Sequence, residues 1–539
     1  MHEQNVIVVG GGPVGCTAAL LLADRGVPVT ILERYPRPHP LPRAVHLDDE
    51  VIRILHRIGV SDAFLAVSRP ASGLRLLDAE HGLMAEFRRD TGVTDNGFPG
   101  ANMFHQPELE ALLFHRVDQH PLIDLHRGSE VRAIDGVLDP WTAPPVRVHT
   151  RAVADESART FTGSLVLGCD GANSTVRQLL GVRMQDLRFT ERWLVIDVRA
   201  AAALDTYDGV EQVCDPARAA TFMHVTGDRY RWEFRMYDGE DETDLVADLG
   251  RLLQPWTGQP DLAGLEVTRS AVYTFRARLA SRFQVGRAFL LGDAAHLTPP
   301  FIGQGLAAGI RDADNLAWKI DYVLAGKASP GLLTTYQTER RPHAKAMIRK
   351  AKLVGWAMTG GQDAAATVRR VLLAAAVRSD RVREAIASTA TPRLRSGALR
   401  HTSAWSRPPR SLRVGALLPN PLLNLPNGKQ VRLDDVLDGN PAIVTARRPG
   451  PDLLALCRKH GISAIRITDD ASAEPGDAGP GDAGPGDADW VDARLGEGRH
   501  SRLSAVTVHP SLTLLVRPDR VIAAVADGSQ LPHPPWLPR

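Results

Sequence analysis

The stretch NVIVVGGGPVGCTAALLLADRGVPVTILER, residues 5–34, constrains the fold more than any other in the chain. Val6 to Val9 form an unbroken apolar run that reads as a buried strand. Gly10, Gly12 and Gly15 follow in G-x-G-x-x-G spacing, with Pro13 and Val14 opening a helix between the second and third glycines. Ala18, Leu21 and Leu22 mark the inner face of that helix, Gly26 stops it, and a second strand closes on Glu33 and Arg34. This is a βαβ unit, so its two strands are parallel. The glycines have separate purposes: Gly10 permits the tight turn, Gly12 lets backbone approach a pyrophosphate, and Gly15 lets helix and strand pack closely. Free N–H groups and the positive dipole end of the helix favour the phosphates, and Glu33 is placed to accept hydrogen bonds from a ribose diol. NAD and FAD use the same cradle, so at this point the dinucleotide has two candidates.

Two later stretches repeat the theme. SLVLGCDGANSTVR runs as a strand from Leu165 to Leu167 into Asp170-Gly171, with Ser174 and Arg177 beyond. RAFLLGDAAHLTPPFIGQGLAAGIRDADNLAWKI predicts a strand over 288–291, Gly292-Asp293, a break at Pro299-Pro300, and a helix from near Gly303. Open α/β sheets bind ligands at the carboxyl ends of their strands. One compact ligand could not reach all three motifs, whereas a long one could. Between them lie LPRAVHLDDEVIRILHRIG, which puts Arg43 ahead of a helix capped near Asp48, and FHQPELEALL, which puts Gln106 at the start of another. Taken alone, Arg43 reads as a surface ion pair and Gln106 as a helix-start residue.

Composition narrows the class. The 539 residues, 44% hydrophobic and 23% charged, allow roughly three domains, and no apolar run approaches a membrane span. Sixty-four basic and 62 acidic residues, mixed along the chain, give no nucleic-acid footprint. Cys16, Cys169, Cys214 and Cys457 show neither C-x-x-C nor metal-ligand spacing, so a reducing, cytoplasmic setting without structural metal is expected. The N-terminal MHEQNVIVVGGG carries no signal-peptide pattern.

The three motifs in this order resemble the fingerprints of the group A flavoprotein aromatic hydroxylases, whose type is para-hydroxybenzoate hydroxylase, over about residues 5–350. PRAVHLDDE, VYTFRARLASRFQVGRAFLLGDAAH, RDADNLAWKI, TYQTERRPHAKAMI and LLVRPDRVIAA resemble the 3-(3-hydroxyphenyl)propionate hydroxylase branch, with related polyketide hydroxylases sharing much of the pattern. The resemblance implies an α/β fold: a Rossmann-like FAD-binding domain in two parts (1–184 and, with helices, 281–400), an inserted substrate-binding sheet (185–280), and a thioredoxin-like C-terminal domain (410–539). It implies FAD as cofactor, with the Gly10–Gly15 loop on the pyrophosphate, Glu33 on the adenosine ribose, Arg43 and Gln106 on further polar edges, and Asp293 on the ribityl chain. Asp170 is shared between FAD and a transiently visiting NAD(P)H, for which there is no second complete fingerprint. Gly292, Pro300, Gly303, Gly305 and Leu306 surround a helix N-terminus aimed at the flavin's pyrimidine end. The implied reaction hydroxylates a phenolic aromatic with NAD(P)H and O₂ through a flavin C4a-hydroperoxide. Two alternatives stand beside it: Baeyer–Villiger insertion or reduction on the same fold, and a flavin-free dinucleotide-binding sensor or dehydrogenase.

Substrate walls are expected from QVCDPARAATFMHVTGDRYRWEFRMYDGEDE, two antiparallel strands turning at Gly227-Asp228. By parity Phe222, His224, Trp232, Phe234 and Met236 share one face, and His224 is carried as a candidate general base. Pro299 and Phe301 are candidate wall residues by position, and His296 reads as structural. Beyond 350, residues 339–358 and 364–387 predict long helices. The tail predicts strands at AIVTAR and LTLLVRPDRVIAAVA, and a loop at the Gly-Asp-Ala-Gly-Pro repeats of 474–487. Its role is expected to be packing or homodimerisation.

Overall fold

The computed structural model describes residues 4–38, 42–359, 391–400, 409, 412–468, 490–495, 502–509, 511–527 and 533–537. The helix expected at 364–387 and the repeat loop at 474–487 lie outside the described residues. The chain divides into two compact units, one of 1–92, 99–313 and 344–391, the other of 93–98, 314–343 and 392–539.

The first unit holds a six-stranded sheet whose order is Gln284–Val285, Ala288–Leu290, Leu165–Gly168, Val6–Val9, Val29–Glu33, Ile123–Arg127. Val6–Val9 pairs in parallel with both neighbours, Val6 facing Leu165 on one side and Val29 on the other. Leu165–Gly168 pairs in parallel with Ala288–Leu290. All four residues of Val6–Val9 are buried, which is why this strand is a continuous apolar run instead of an alternating one. The consequence for function is positional: the motifs after Val9, Gly168 and Leu290 emerge side by side at one end of the sheet.

An eight-stranded sheet in the same unit is built around the long antiparallel pair Met184–Ala200 and Leu265–Ala280 and the hairpin Ala220–Thr226/Arg229–Met236. It is larger than a 185–280 insertion, because it also takes in Gly73–Leu77, Leu83–Arg88 and His296–Leu297. One face of the hairpin carries Phe222, Trp232, Phe234 and Met236, which pack with Leu245, Leu249, Leu253 and Trp256. Those partners come from helices Glu242–Ala247 and Leu249–Thr257. The opposite face carries Met223 and Val225, which join Val45, Ala71, Ala101 and Met103.

The second unit holds a seven-stranded mixed sheet, ordered Gln430–Arg432, Leu422–Asn424, Val491–Leu495, Ser463–Thr468, Ala442–Thr445, Leu512–Val516, Ile522–Asp527. AIVTAR supplies Ala442–Thr445, and LTLLVRPDRVIAAVA supplies two antiparallel strands, Leu512–Val516 and Ile522–Asp527. Glu339, buried, accepts from Asn315 at 2.7 Å, Lys319 at 2.8 Å, Arg517 at 2.9 and 3.0 Å, and the Ala398 N–H at 2.7 Å. Arg517 and Lys319 hold the Glu339 carboxyl down at about 2 against the opposing push of burial. All four cysteines are buried thiols outside any disulfide. Among the described residues no His/Cys/Asp/Glu group could hold a metal ion, and no helix is long and apolar enough to cross a membrane.

Candidate active site

The first glycine loop shows which of its glycines serve the fold and which leaves space outside it. Gly10 has φ +103°, and a Cβ there would lie 2.5 Å from the Cys169 carbonyl oxygen. A Cβ on Gly15 would lie 1.9 Å from the Gly10 carbonyl oxygen, so helix and strand touch there with no room for a methyl group. Gly12 differs: it is extended, at φ −74° and ψ −179°, and a Cβ on it would meet nothing within 4 Å. Its bareness therefore does nothing for the fold, and it borders open space at the start of helix Pro13–Ala23. Glu33 accepts from the Gly11 N–H at 2.6 Å and the Tyr35 N–H at 2.8 Å, which fixes its carboxylate over the turn. Arg34 lies over the Tyr35 ring, 4.5 Å from its centroid.

The second motif turns inward. Asp170 accepts from the Ser174 hydroxyl at 2.5 Å and the Val176 N–H at 3.0 Å, bracing Ser174, which caps the short helix Thr175–Leu179 by accepting from the Arg177 N–H at 2.9 Å. Arg177 donates to the Ala294 carbonyl at 3.0 Å and the Ala172 carbonyl at 2.9 Å, tying this motif to the third. Val14 closes the triangle: a Cβ on Gly292 would sit 3.2 Å from its Cγ2. The three motifs are thus one packed assembly.

Asp293 is the assembly's unsatisfied acid. It is exposed, and no described protein group donates to its carboxylate. Even so, burial by surrounding protein raises its pKa, opposed by His296 and Arg43. A carboxylate that solvent reaches while protein crowds around it lies in a cleft. His296 is structural: fully buried, it meets Asp312 at 2.7 Å and stacks on Phe283. Pro299 leads into a 3₁₀ turn, Pro300–Ile302, after which Gly303 adopts a left-handed conformation. Helix Gly305–Leu324 starts two residues later than the expected Gly303, because left-handed Gly303 cannot belong to it. Gly305 and Leu306 at its first turn are half-buried, with open space beside Gly305. Phe301 makes edge contacts with Phe189 and Trp193, at 5.8 and 6.0 Å between centroids.

Two polar networks hold these parts in place. The Gln106 side-chain oxygen accepts from the Arg43 and Ala44 N–H groups at 2.9 and 2.7 Å, and its amide donates to Glu110 at 2.6 Å. From the opposite side, Arg231 donates to the carbonyls of Arg43 and Pro42, both at 3.0 Å, while Asp197 grips Arg231 at 2.6 and 3.0 Å. Arg269 reaches both Pro42 and Asp197. The second network sets the helix start: Asp48 accepts from Val51 N–H as the cap of helix Asp49–Arg57, and also from Gln304 at 2.9 Å and Arg311 at 2.5 Å. Arg311 in turn donates to Glu50 at 2.7 Å and the Gln304 oxygen at 2.9 Å. Burial pushes the Asp48 carboxyl up, but the guanidinium and its hydrogen bonds outweigh it and hold the group low.

The aromatic face of the hairpin does not reach this assembly. Phe222 and Trp232 are 0% exposed and Phe234 2%, sealed under the two helices, so their assignment as substrate walls is corrected. His224 is corrected as a general base as well. It stacks on Tyr230 at the hairpin's end and lies 3.0 Å from the Gly227 carbonyl and 3.3 Å from Asp208. Alternation in YRWEFRM divides this strand properly, yet the polar side, Arg231 and Glu233, is the one turned toward Arg43. That polar side was the available signal. No local pattern marks Asp197, Arg269, Arg311 or Gln304, which meet their partners only through the fold.

Open space at Gly12 and Gly305, an unpartnered acid in the cleft and a helix start free of acidic residues suit one long, doubly negative dinucleotide. Comparison with known proteins agrees. The FAD binding domain family matches residues 3–351, and the HcaD C-terminal domain family matches residues 415–534. The chain is 33% identical to a 3-(3-hydroxy-phenyl)propionate/3-hydroxycinnamic acid hydroxylase of Mycolicibacterium smegmatis, over 98% of this chain and 92% of that one. It is 34% identical to a probable NADH-specific resorcinol 4-hydroxylase of Rhodococcus jostii, over 69% of each. In fold it matches aklavinone-11 hydroxylase, solved with FAD and aklavinone, with a TM-score of 0.77 at 23% identity, over 98% of this chain and 96% of that one. The motifs, their convergence at one sheet end and these relatives lead to one conclusion: the chain belongs to the FAD-dependent aromatic hydroxylases.

Proposed function

We propose that the chain hydroxylates a phenol bearing a short anionic side chain, in the manner of a 3-(3-hydroxyphenyl)propionate, taking electrons from NAD(P)H and oxygen from O₂. The balanced reaction converts the phenol, O₂, NAD(P)H and a proton into the dihydroxylated ring, NAD(P)⁺ and water. Bound FAD supplies the oxygen activation. The protein holds the cofactor, orients the ring and excludes water. In this reading Gly12 and the start of helix Pro13–Ala23 receive the pyrophosphate, Glu33 the adenosine ribose and Asp293 the ribityl chain. The N–H groups at Gly305 and Leu306 would hold the flavin's pyrimidine end, where a helix N-terminus would stabilise negative charge. Arg43 takes its place through the Gln106 and Arg231 clamps. Asp170 acts by shaping the turn beside Gly10, and Pro299, Pro300 and Phe301 form backbone and wall next to the helix start.

The observation that carries the reading is the convergence of the three motifs on the cleft that holds Asp293. An anionic side chain is supported by the positive charge beside the site: Arg89 acts electrostatically on both His46 and Lys350. The C-terminal sheet, whose Ala442–Thr445 pairs in parallel with Ser463–Thr468 and antiparallel with Leu512–Val516, is read as thioredoxin-like without a dithiol. Cytoplasmic location and self-association belong to the same reading. The test is to purify the chain, record its flavin spectrum, and follow NAD(P)H oxidation, peroxide release and ¹⁸O incorporation with 3-(3-hydroxyphenyl)propionate, 3-hydroxycinnamate and resorcinol. Hydroxylated product carrying one ¹⁸O supports it. Flavin-bound protein that turns over none of the three, or inserts oxygen into a ketone instead, refutes it.

A further inference from the structure

We propose that His46 is a catalytic residue of this site, its imidazole accepting a hydrogen bond from the hydroxyl of the phenolic substrate. The proposal rests on the hydroxylase reading above and names the group in that site that recognises the phenol.

Strand His46–Asp48 pairs antiparallel with Ala101–Met103, with His46 opposite Met103 and Asp48 opposite Ala101. Side chains two apart on a strand share a face. Asp48 uses that face to bind Gln304 and Arg311, so His46 faces the same helix start. The contact agrees: a Cβ on left-handed Gly303 would lie 3.0 Å from His46 Nδ1. Across the strands, Met103 belongs to the apolar cluster of Val45, Ala71, Ala101, Met223 and Val225. The imidazole thus stands between the turn that precedes helix Gly305–Leu324 and an apolar wall to which the inner face of the substrate sheet contributes.

Its hydrogen bonding is what marks it. Both ring nitrogens are buried, no side chain pairs with either, and the Gly303 backbone is the one polar group close enough to engage the ring, so at most one nitrogen is occupied. Buried polar side chains are nearly always satisfied, and one that is not calls for a ligand or a catalytic reason. A merely structural position here would favour an apolar side chain, which escapes that cost. Burial, reinforced by Arg89 and more weakly by Arg311, lowers the imidazole to about 4, with Asp48 and the Gly303 backbone opposing. Near neutral pH the ring is therefore uncharged, with one nitrogen bearing hydrogen and the other a free acceptor. A phenol hydroxyl donating to that acceptor gains electron density on its ring, at the carbons ortho and para to oxygen that an electrophilic oxygen attacks. The neutral imidazole orients and polarises the hydroxyl without removing its proton in the resting complex.

The test compares ligands with and without the hydroxyl hydrogen on FAD-loaded protein. 3-(3-Hydroxyphenyl)propionate and resorcinol are each titrated against their methyl ethers, reading dissociation constants from the flavin absorbance change, in wild type, His46→Leu and His46→Gln. One hydrogen bond of this kind gives wild type a preference for the phenol of about tenfold over its ether. His46→Leu should bring that ratio to about one, with lower kcat and more peroxide per NAD(P)H consumed. His46→Gln, which keeps an acceptor, should restore part of the preference, and it serves if the leucine variant does not fold. A ratio unchanged in His46→Leu and His46→Gln overturns the proposal. So does loss of FAD with the ratio intact, which would assign His46 to the cofactor. If wild type binds and hydroxylates no phenol, the hydroxylase reading fails with it, and that result is distinct because it appears before any variant is made.

Discussion

Replacing Gly12 and Gly15 one at a time separates cofactor binding from folding within a single loop. Gly12 has backbone angles any residue adopts and open space where a side chain would go. Gly12→Ala should therefore leave the apoprotein as stable as wild type, or more stable by about 0.4–1 kcal/mol, since glycine loses more entropy on folding. Gly15→Ala forces a methyl carbon to 1.9 Å from the Gly10 carbonyl. A backbone contact that short must be relieved by moving helix or strand, at a cost of about 1–3 kcal/mol or more. FAD adds the second readout. At a free concentration of about 100 Kd it stabilises wild type by about 2.7 kcal/mol, and Gly12→Val should lose this gain because its side chain fills the pyrophosphate's path. The assays are flavin absorbance after gel filtration and denaturant melts with and without added FAD. The expected pattern is a stable Gly12→Val apoprotein indifferent to FAD, and a destabilised Gly15→Ala. Normal flavin content and FAD-dependent stabilisation in Gly12→Val would refute the placement of the pyrophosphate.

Asp293→Asn should lower FAD retention while making the apoprotein more stable. The native carboxyl sits above its ordinary 3.8, so its charged form costs stability, a penalty absent below that pH and complete once pH passes the raised native value. Equal apoprotein melts for variant and wild type at pH 3 and pH 8 would contradict this. Arg231→Met leaves the Pro42 and Arg43 carbonyls with fewer donors and should raise peroxide release at unchanged NAD(P)H oxidation. Wild-type coupling in that variant would show that the clamp does not govern the site. Glu339→Gln should cost about 3–5 kcal/mol, because Lys319 is left buried without its ion-pair partner and Arg517 keeps only Asp519. The Glu339 contribution is present above the ordinary 4.5 and lost as pH falls toward about 2, so the acid side of the stability profile should flatten in the variant. An unchanged profile would mean the network is not the source of acid sensitivity.

The three glycine motifs were legible because each joins a fully buried strand to a conformation only a few residues allow. Apolar runs, glycine spacing and terminal acids are local properties, and the parallel order of Val6–Val9, Leu165–Gly168 and Ala288–Leu290 follows once each is a strand of the same sheet. The substrate side was not legible in the same way. Alternation in Ala220–Thr226 and Arg229–Met236 separates two faces, but which face meets helices and which meets the cleft depends on where residues 242–257 pack. The aromatic face was the natural choice for a ring pocket, and it proved to be core. Arg231 and Asp197 are 34 positions apart and Arg311 and Asp48 263, so no spacing rule links them. His46 reads in the sequence as one polar residue ahead of a capped helix. Only the fold brings left-handed Gly303 against its ring and leaves it with no side-chain partner, because unsatisfied hydrogen bonding is a property of all the groups around a side chain and not of its neighbours along the chain.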